Sequence, residues 1–369
     1  MNSESQLVLQ LCRFLDPDTD SIRTLMENEP AWGYVLGQLL YHRMGSVAYH
    51  TLCHLDPPGV SNREVRSILE AISLSDHEKA NNMEQCLELL GDVLSPAEFP
   101  YALLKGSYLL YLYPRGLRTS NDIDILIQPD DVARLERRLK AAGFEQGYLR
   151  QGTFVPAARS EIVTARMNRG ETVPFIRRVD LPHKPYMEVD INFSLDFKAT
   201  QQSDTVAVLL KNVQPMIPCR HTHLYTLEPI DFLIHLCAHL FKEATTYTWV
   251  AWGRDLSLYK FTDLYLLLRR QFDTAARCEE LSRRIVLYGM QKECYYALYY
   301  TAFLFSLRAD CWDKLLLTIR PDDTAYLKEI YRPDNRTTYR YAPPFDEWLF
   351  AGHKTAALQP LSSDTGQVH

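Results

Sequence analysis

Apolar residues recur at three- and four-residue spacing through the first quarter of the chain. "SQLVLQLCRFL", "PAWGYVLGQLLYHRMGSVAYHTLCHL" and "REVRSILEAISLSDHEKANNMEQCLELLGDVL" carry that period, so helices are predicted from residue 5 to about 95. "DPDTD" and "DPPGVSN" punctuate them as loops, and Asn62 stands where a helix cap belongs. From residue 96 the period changes. "FPYALLKGS" reads as a short buried strand ending at Lys-Gly-Ser, and "YLLYLYP" as a helix stopped by Pro114. "DIDILIQP" alternates and reads as a strand. "PDDVARLERRLKAAGFEQ" reads as a helix with Pro129 near its start and Gly143 at its end. "YMEVDINFSL" is a further alternating strand, and residues 147–180 read as a hairpin plus loop. The order β-α-β-α-β predicts an α/β sheet core. After residue 203 the helical period returns in "PIDFLIHLCAHLFKEA", "DLSLYKFTDLYLLLRRQF", "CEELSRRIVLYGMQKECYYALYYTAFLF" and "WDKLLLTI". The chain therefore divides into a helical N-terminal part (1–95), an α/β core (96–202), a C-terminal helical domain (203–330) and an extended tail (331–369) whose last ten residues read as disordered.

Composition changes this picture little. The 369 residues carry a formal net charge of −6 and no dense basic tract, so a long nucleic acid is not the expected partner. No apolar run reaches the length of a membrane span, and no secretory leader is visible, so the expected location is the cytoplasm, with no membrane partner. The eight cysteines are scattered without a C-x-x-C pair, which fits reduced thiols.

The chemistry concentrates in "LLKGSYLLYLYPRGLRTSNDIDILI". In a strand, alternate side chains share a face, so Asp122 and Asp124 point together while Ile123 and Ile125 point away. Two such carboxylates repel unless a cation lies between them, and Mg²⁺ accepts one or two protein carboxylates together with substrate phosphates. Upstream, Lys105-Gly106-Ser107 ends a strand and opens a helix, where free N–H groups suit a phosphate and Ser107 adds a hydroxyl. Downstream, Asp190 in "EVDINF" lies on a later strand and is able to complete a metal site. Glu188 shares its face and is the other candidate for that place.

Gly106-Ser107, then Asp122-Ile123-Asp124-Ile125, then Asp190 resembles the nucleotidyltransferase superfamily of the DNA polymerase β type. More narrowly, residues 103–144 resemble an uncharacterised nucleotidyltransferase-like family found near bacterial natural-product gene clusters. That likeness extends over roughly residues 30–270. The family carries a later D-h-H-W element; here it reads "DINF", so Asp190 matches while Asn192 and Phe193 replace the histidine and tryptophan. The resemblance implies an α+β, polymerase-β-like core, a mixed sheet with flanking helices, set in the chain between helical N- and C-terminal parts. It implies two-metal transfer of a nucleoside monophosphate from an NTP, with Mg²⁺, or Mn²⁺ in its place, held by Asp122, Asp124 and Asp190. Gly106 and Ser107 would then hold the triphosphate, and Lys105 and Arg118 would neutralise it. Helices after the core commonly complete the nucleotide pocket in this superfamily, which brings in Lys242, Glu243, Arg254, Asp255, Lys260 and Asp263.

His235, His239 and Glu243 lie on one helix face, where H-x3-H is able to bind a metal, but they lack the H-E-x-x-H base and read as polar residues that line a helix seam or face the active site. The acidic chain favours a small-molecule or peptide natural product as acceptor over a long nucleic acid. Two rivals keep the fold: nucleotidylation of a protein partner, as in toxin–antitoxin systems, and a non-catalytic nucleotide-binding scaffold. A third uses the same carboxylates for phosphoryl transfer or for activation of a carboxylate through an adenylate.

Overall fold

The computed structural model describes residues 1–55, 62–95, 97–195, 205–216, 224–333 and 336–361. Cys219, the loop "DPPGVSN" apart from Asn62, and all but two of the last ten residues lie outside them. The described chain divides into two compact units, Glu70–His235 on one hand and Met1–Leu69 with Leu236–His369 on the other.

The unit Glu70–His235 is built on one mixed sheet. Its strands are β1 (Tyr101–Leu103), β2 (Ile123–Ile127), β3 (Glu145–Arg150), β4 (Thr153–Pro156), β5 (Phe175–Leu181), β6 (Lys184–Asn192), β7 (Val213–Pro215) and β8 (Tyr225–Leu227), in the order β4-β3-β5-β6-β2-β1-β8-β7. β2 pairs parallel with β6, and β1 parallel with β8; the remaining pairs are antiparallel. β2 is buried along its whole length, as befits a central strand rich in isoleucine. Helix Val132–Ala141 turns Val132, Leu135 and Leu139 inward at helical spacing. It closes at Gly143, whose φ of +84° only glycine adopts freely, with Phe144 N–H donating to Leu139 C=O at 3.0 Å.

Most predicted elements of this unit form close to where the pattern puts them. The stretch 147–180 holds more than a hairpin and a loop: β3 and β4 make the hairpin, helix Arg159–Arg169 follows, and β5 completes it. Ala158 caps that helix without a polar side chain; instead Glu161 reaches back to accept from the Ala158 N–H at 2.7 Å. A start signal of Ser, Thr, Asp or Asn is thus missing. Asn62 does cap its helix, accepting from the N–H groups of Glu64 and Val65 at 3.0 and 3.2 Å.

The second unit is largely helical. Of its N-terminal helices, Thr19–Glu27 starts inside the "DPDTD" stretch read as a loop, because Asp18 caps it by accepting from Ser21 N–H at 3.0 Å. These helices pack with the C-terminal ones: the Tyr41 hydroxyl donates to Gly253 C=O at 2.7 Å, and Leu258 N–H donates to His42 Nδ1 at 3.2 Å. Beyond residue 330, where the sequence reads as an extended tail, the chain completes a three-stranded antiparallel sheet of β9 (Glu329–Arg332), β10 (Thr337–Tyr341) and β11 (Leu358–Pro360). It also forms helix Phe345–Phe350, whose Trp348 stacks on Tyr341 at 4.3 Å between ring centroids. The aromatic run of helix Gln291–Leu304 is mostly core, with Tyr300 stacked on Phe345. A cavity of about 440 Å³ lies in this unit beside Tyr299, Phe303 and Lys328. No helix among the described residues is long and apolar enough to cross a membrane.

The deepest charge in this unit is an ion pair, Lys354 Nζ to Asp255 Oδ2 at 2.8 Å, with side chains 2% and 0% exposed. Burial pushes the Lys354 ammonium below its ordinary pKa while the Asp255 carboxylate pulls it back up. Removing one partner strands the other in a medium that cannot solvate it. Lys354→Met is therefore expected to cost about 3–5 kcal/mol in urea unfolding. Adding Asp255→Asn to that variant should recover a large part; a near-neutral single variant would refute the pair's role.

Candidate active site

The parallel pairing of β2 and β6 is the frame of the site. Its register sets Asp124 directly across from Asp190, and Ile123 across from Val189. Adjacent strands lie about 4.8 Å apart, and partners in register share a face. Alternation along each strand adds Asp122 beside Asp124 and Glu188 beside Asp190. Four carboxylates thus crowd one patch of sheet, with Asp190, not Glu188, opposite Asp124.

The titration of the patch reflects this crowding. The Asp190 carboxyl is held well above the usual carboxylate range, first by burial and then by the charges of Asp124, Asp122, Glu188 and Glu171. Glu188 is raised too, by burial and then by Asp122, with Lys184 opposing. One oxygen of Asp190, Oδ1, is sealed from solvent and has no hydrogen-bond partner.

Three neighbours restrain Asp124 and Asp122, the latter one residue ahead of β2. Lys105 Nζ donates to Asp124 Oδ1 at 2.9 Å, and Asn192 Nδ2 donates to the same oxygen at 3.2 Å. Ser120 Oγ donates to Asp122 Oδ1 at 2.9 Å. Among the described residues no three carboxylate, histidine or cysteine side chains are gathered tightly enough to enclose an ion as they stand. The donor set nonetheless suits a hard divalent cation: oxygen ligands only, an excess of negative charge, and an unpartnered carboxylate oxygen.

Lys105 reaches Asp124 from an unusual backbone. Its φ and ψ of 47° and −122° belong to the first central position of a type II′ turn, where glycine is the default. Ser107 N–H donates to Leu104 C=O at 3.2 Å and closes the turn. Holding a lysine there costs about 1–3 kcal/mol. Gly106 follows in the turn, and the close approach that only glycine permits is made by Ser120: a Cβ on Gly106 would lie 2.4 Å from Ser120 Cβ. Ser107 is fully buried, its hydroxyl sealed and unpartnered. Arg118 is half-buried and donates to the neighbouring Thr119 carbonyl.

The unit Glu70–His235 thus holds Lys105, Gly106, Ser107, Arg118, Asp122, Asp124 and Asp190, and its sheet gathers the three aspartates on one face. Lys242, Lys260 and Asp263 belong to the other unit. There Lys260 pairs with Glu243 and donates to the carbonyls of Asp255 and Arg254 at 3.1 and 3.3 Å. Asp263 is buried in helix Leu258–Gln271, and Lys242 lies in the last turn of helix Pro229–Ala244. His239 faces Glu243 at 3.3 Å, one turn along that helix. Ser120 and Glu171 are unmarked in the sequence reading, and Asn192 enters it only as the replacement of a family histidine, not as a donor to Asp124. Ser120 continues the alternation of Asp122 and Asp124 one step upstream, and Asn192 continues that of Glu188 and Asp190 one step downstream. Glu171 arrives through an isolated antiparallel bridge to Asn192, which no local pattern marks.

Two outcomes follow from this geometry. Lys105→Gly and Lys105→Ala both remove the cation, but only glycine relaxes the turn. The glycine variant should be the more stable by about 1–3 kcal/mol in urea unfolding, and alanine equal or better would refute the strain. The second concerns pH. Asp190 and Glu188 keep protons in the folded chain that the unfolded chain has already lost. The metal-free protein should therefore lose stability as pH rises above the ordinary carboxylate range of about 4. Unfolding midpoints in EDTA at several pH values should show this fall, and Asp190→Asn should flatten it.

The family model described as "Uncharacterised nucleotidyltransferase" matches residues 28–306. Among solved structures, a crystal structure of an antigenic nucleotidyltransferase-like protein from Paracoccidioides brasiliensis is similar at 12% identity. It covers 51% of this chain and 76% of its own, and at a TM-score of 0.32 the likeness bears no weight. No curated protein matches.

Proposed function

The chain belongs to the uncharacterised nucleotidyltransferase family, and from that premise we propose that it transfers a nucleoside monophosphate from an NTP to a hydroxyl or phosphate oxygen of an acceptor, with Mg²⁺ as cofactor. The observation that carries this reading is the register of β2 on β6, which sets Asp124 across from Asp190 and leaves a carboxyl patch short of positive charge.

In this reading Asp122, Asp124 and Asp190 hold the metal. When bound, Mg²⁺ neutralises the triphosphate and stabilises the attacking and leaving oxygens of an in-line displacement. The acceptor oxygen attacks the α-phosphorus, its bond to the bridging oxygen of the β-phosphate breaks, and pyrophosphate leaves. Asp190 takes up the acceptor's proton when the acceptor is a hydroxyl. Lys105 neutralises Asp124 before substrate arrives and supplies a positive charge beside the triphosphate afterwards. Asn192 and Ser120 keep Asp124 and Asp122 in their rotamers, so the carboxylates need no reordering at the moment of reaction. The acidity of the chain supports a small-molecule or peptide acceptor rather than a long nucleic acid.

Binding of ATP, GTP, CTP and UTP, measured calorimetrically with and without Mg²⁺, tests the reading. At least one NTP is expected to bind only with the metal, and Asp122→Ala and Asp124→Ala should each weaken it tenfold or more. Turnover should release pyrophosphate. Release of ADP from ATP would mark phosphoryl transfer instead. Absence of NTP binding under every metal condition would favour a scaffold role.

A further inference from the structure

A second polar feature adjoins the carboxylate patch in the same unit. It is a pocket of about 190 Å³, room for roughly six waters, walled by helix Arg63–Leu94, by the loop leading into β2 and by the turn between β5 and β6. Every side chain lining it is polar or charged. Among its described lining residues there is no aliphatic, phenyl or indole side chain and His183 carries the one ring, so a fitting ligand is held mainly through hydrogen bonds and charge.

The pocket's walls carry a definite chemistry. Lys79 and Lys184 enter from the helix and from the strand turn. Each ammonium has three donors. Lys79 gives one to Asp76 at 2.8 Å, and Lys184 gives one to the Asn121 carbonyl at 2.9 Å, so both retain donors for a ligand. Glu78 and the amide of Asn121 add groups suited to hydroxyls. The pocket also connects to the reaction centre: Ser120 lines it and donates to Asp122.

We infer that this pocket is the acceptor subsite, and that the acceptor is a small phosphorylated polyol. Its phosphate lies between Lys79 and Lys184, its hydroxyls meet Glu78 and Asn121, and its remaining end faces Asp122 across Ser120. The assignment to an acceptor rests on the nucleotidyl-transfer reading; the pocket's preference for a phosphate ester does not.

Titration of the full chain in EDTA with glycerol 3-phosphate, and with glycerol as control, separates the two. Glycerol 3-phosphate should bind and glycerol should not. Lys79→Gln and Lys184→Gln should each weaken binding about tenfold. Lys79 is more than half exposed, so its variant keeps the fold even if loss of the Lys184 contact disturbs the loop. Affinity for Mg²⁺–ATP should change less than twofold in both. Equal binding by wild type and both variants, or none by wild type, would overturn the subsite. If the variants lose ATP and glycerol 3-phosphate together, the pocket holds the NTP's terminal phosphate and the acceptor assignment falls. Lysine-dependent glycerol 3-phosphate binding by a protein that binds no NTP would support the pocket and sink the transfer reading alone.

Discussion

Like charges on neighbouring parallel strands are the constraint around which the Glu70–His235 unit is organised. Antiparallel neighbours alternate between close and wide pairs, but a parallel pair in register keeps its partners evenly close. The pairing of Asp124 with Asp190 therefore builds repulsion into the centre of the sheet. The backbone ladder sets the spacing of their Cα atoms, so both side chains leave the sheet from neighbouring positions. Several local features answer that repulsion. A lysine is held in a turn that prefers glycine, an asparagine stands at the end of β6, and a serine sits two residues ahead of the first aspartate. Each donates to Asp124 or Asp122. None reaches the sealed oxygen of Asp190, so the charge is compensated on β2 and left open on β6.

That asymmetry gives the patch a direction. Asp122 and Asp124 are oriented by their donors, while Asp190 is protonated more readily than an ordinary aspartate. Neighbouring carboxylates of one patch thus sit in different environments, one set held by hydrogen-bond donors and the other raised by burial and like charge. Ser120 ties this division to the rest of the unit. It fills the space over Gly106, holds Asp122 and forms part of the wall of the polar pocket, so one small side chain links the turn, the carboxylates and the cavity.

The central strands were legible because they obey a period. "DIDILIQP" and "EVDINF" alternate, so the shared face of Asp122 with Asp124, and of Glu188 with Asp190, follows from the sequence alone. Which of Glu188 and Asp190 lies opposite Asp124 depends on register, and register is a property of two distant segments. The strain at Lys105 was hidden for a related reason: Lys-Gly-Ser reads as a turn, but the residue with positive φ is the lysine, not the glycine. Helix Arg159–Arg169 lacked a polar cap, so its stretch read as loop. β9 to β11 are three to five residues each, and the pairing of β10 with β11 joins segments across helix Phe345–Phe350.

The division of the chain into units also orders its synthesis. The segment Glu70–His235 is contiguous and emerges from the ribosome as a whole. The other unit is made of two pieces, and the second begins only at Leu236. At about 5–20 residues per second, the N-terminal helices wait roughly ten to thirty seconds before the second piece of their unit begins to be made. Phe14, His42 and Met44, which meet Tyr265, Phe350 and Thr262 in the finished unit, lack those partners during that interval. The N-terminal helices thus wait for partners that are synthesised only after the whole sheet-bearing unit.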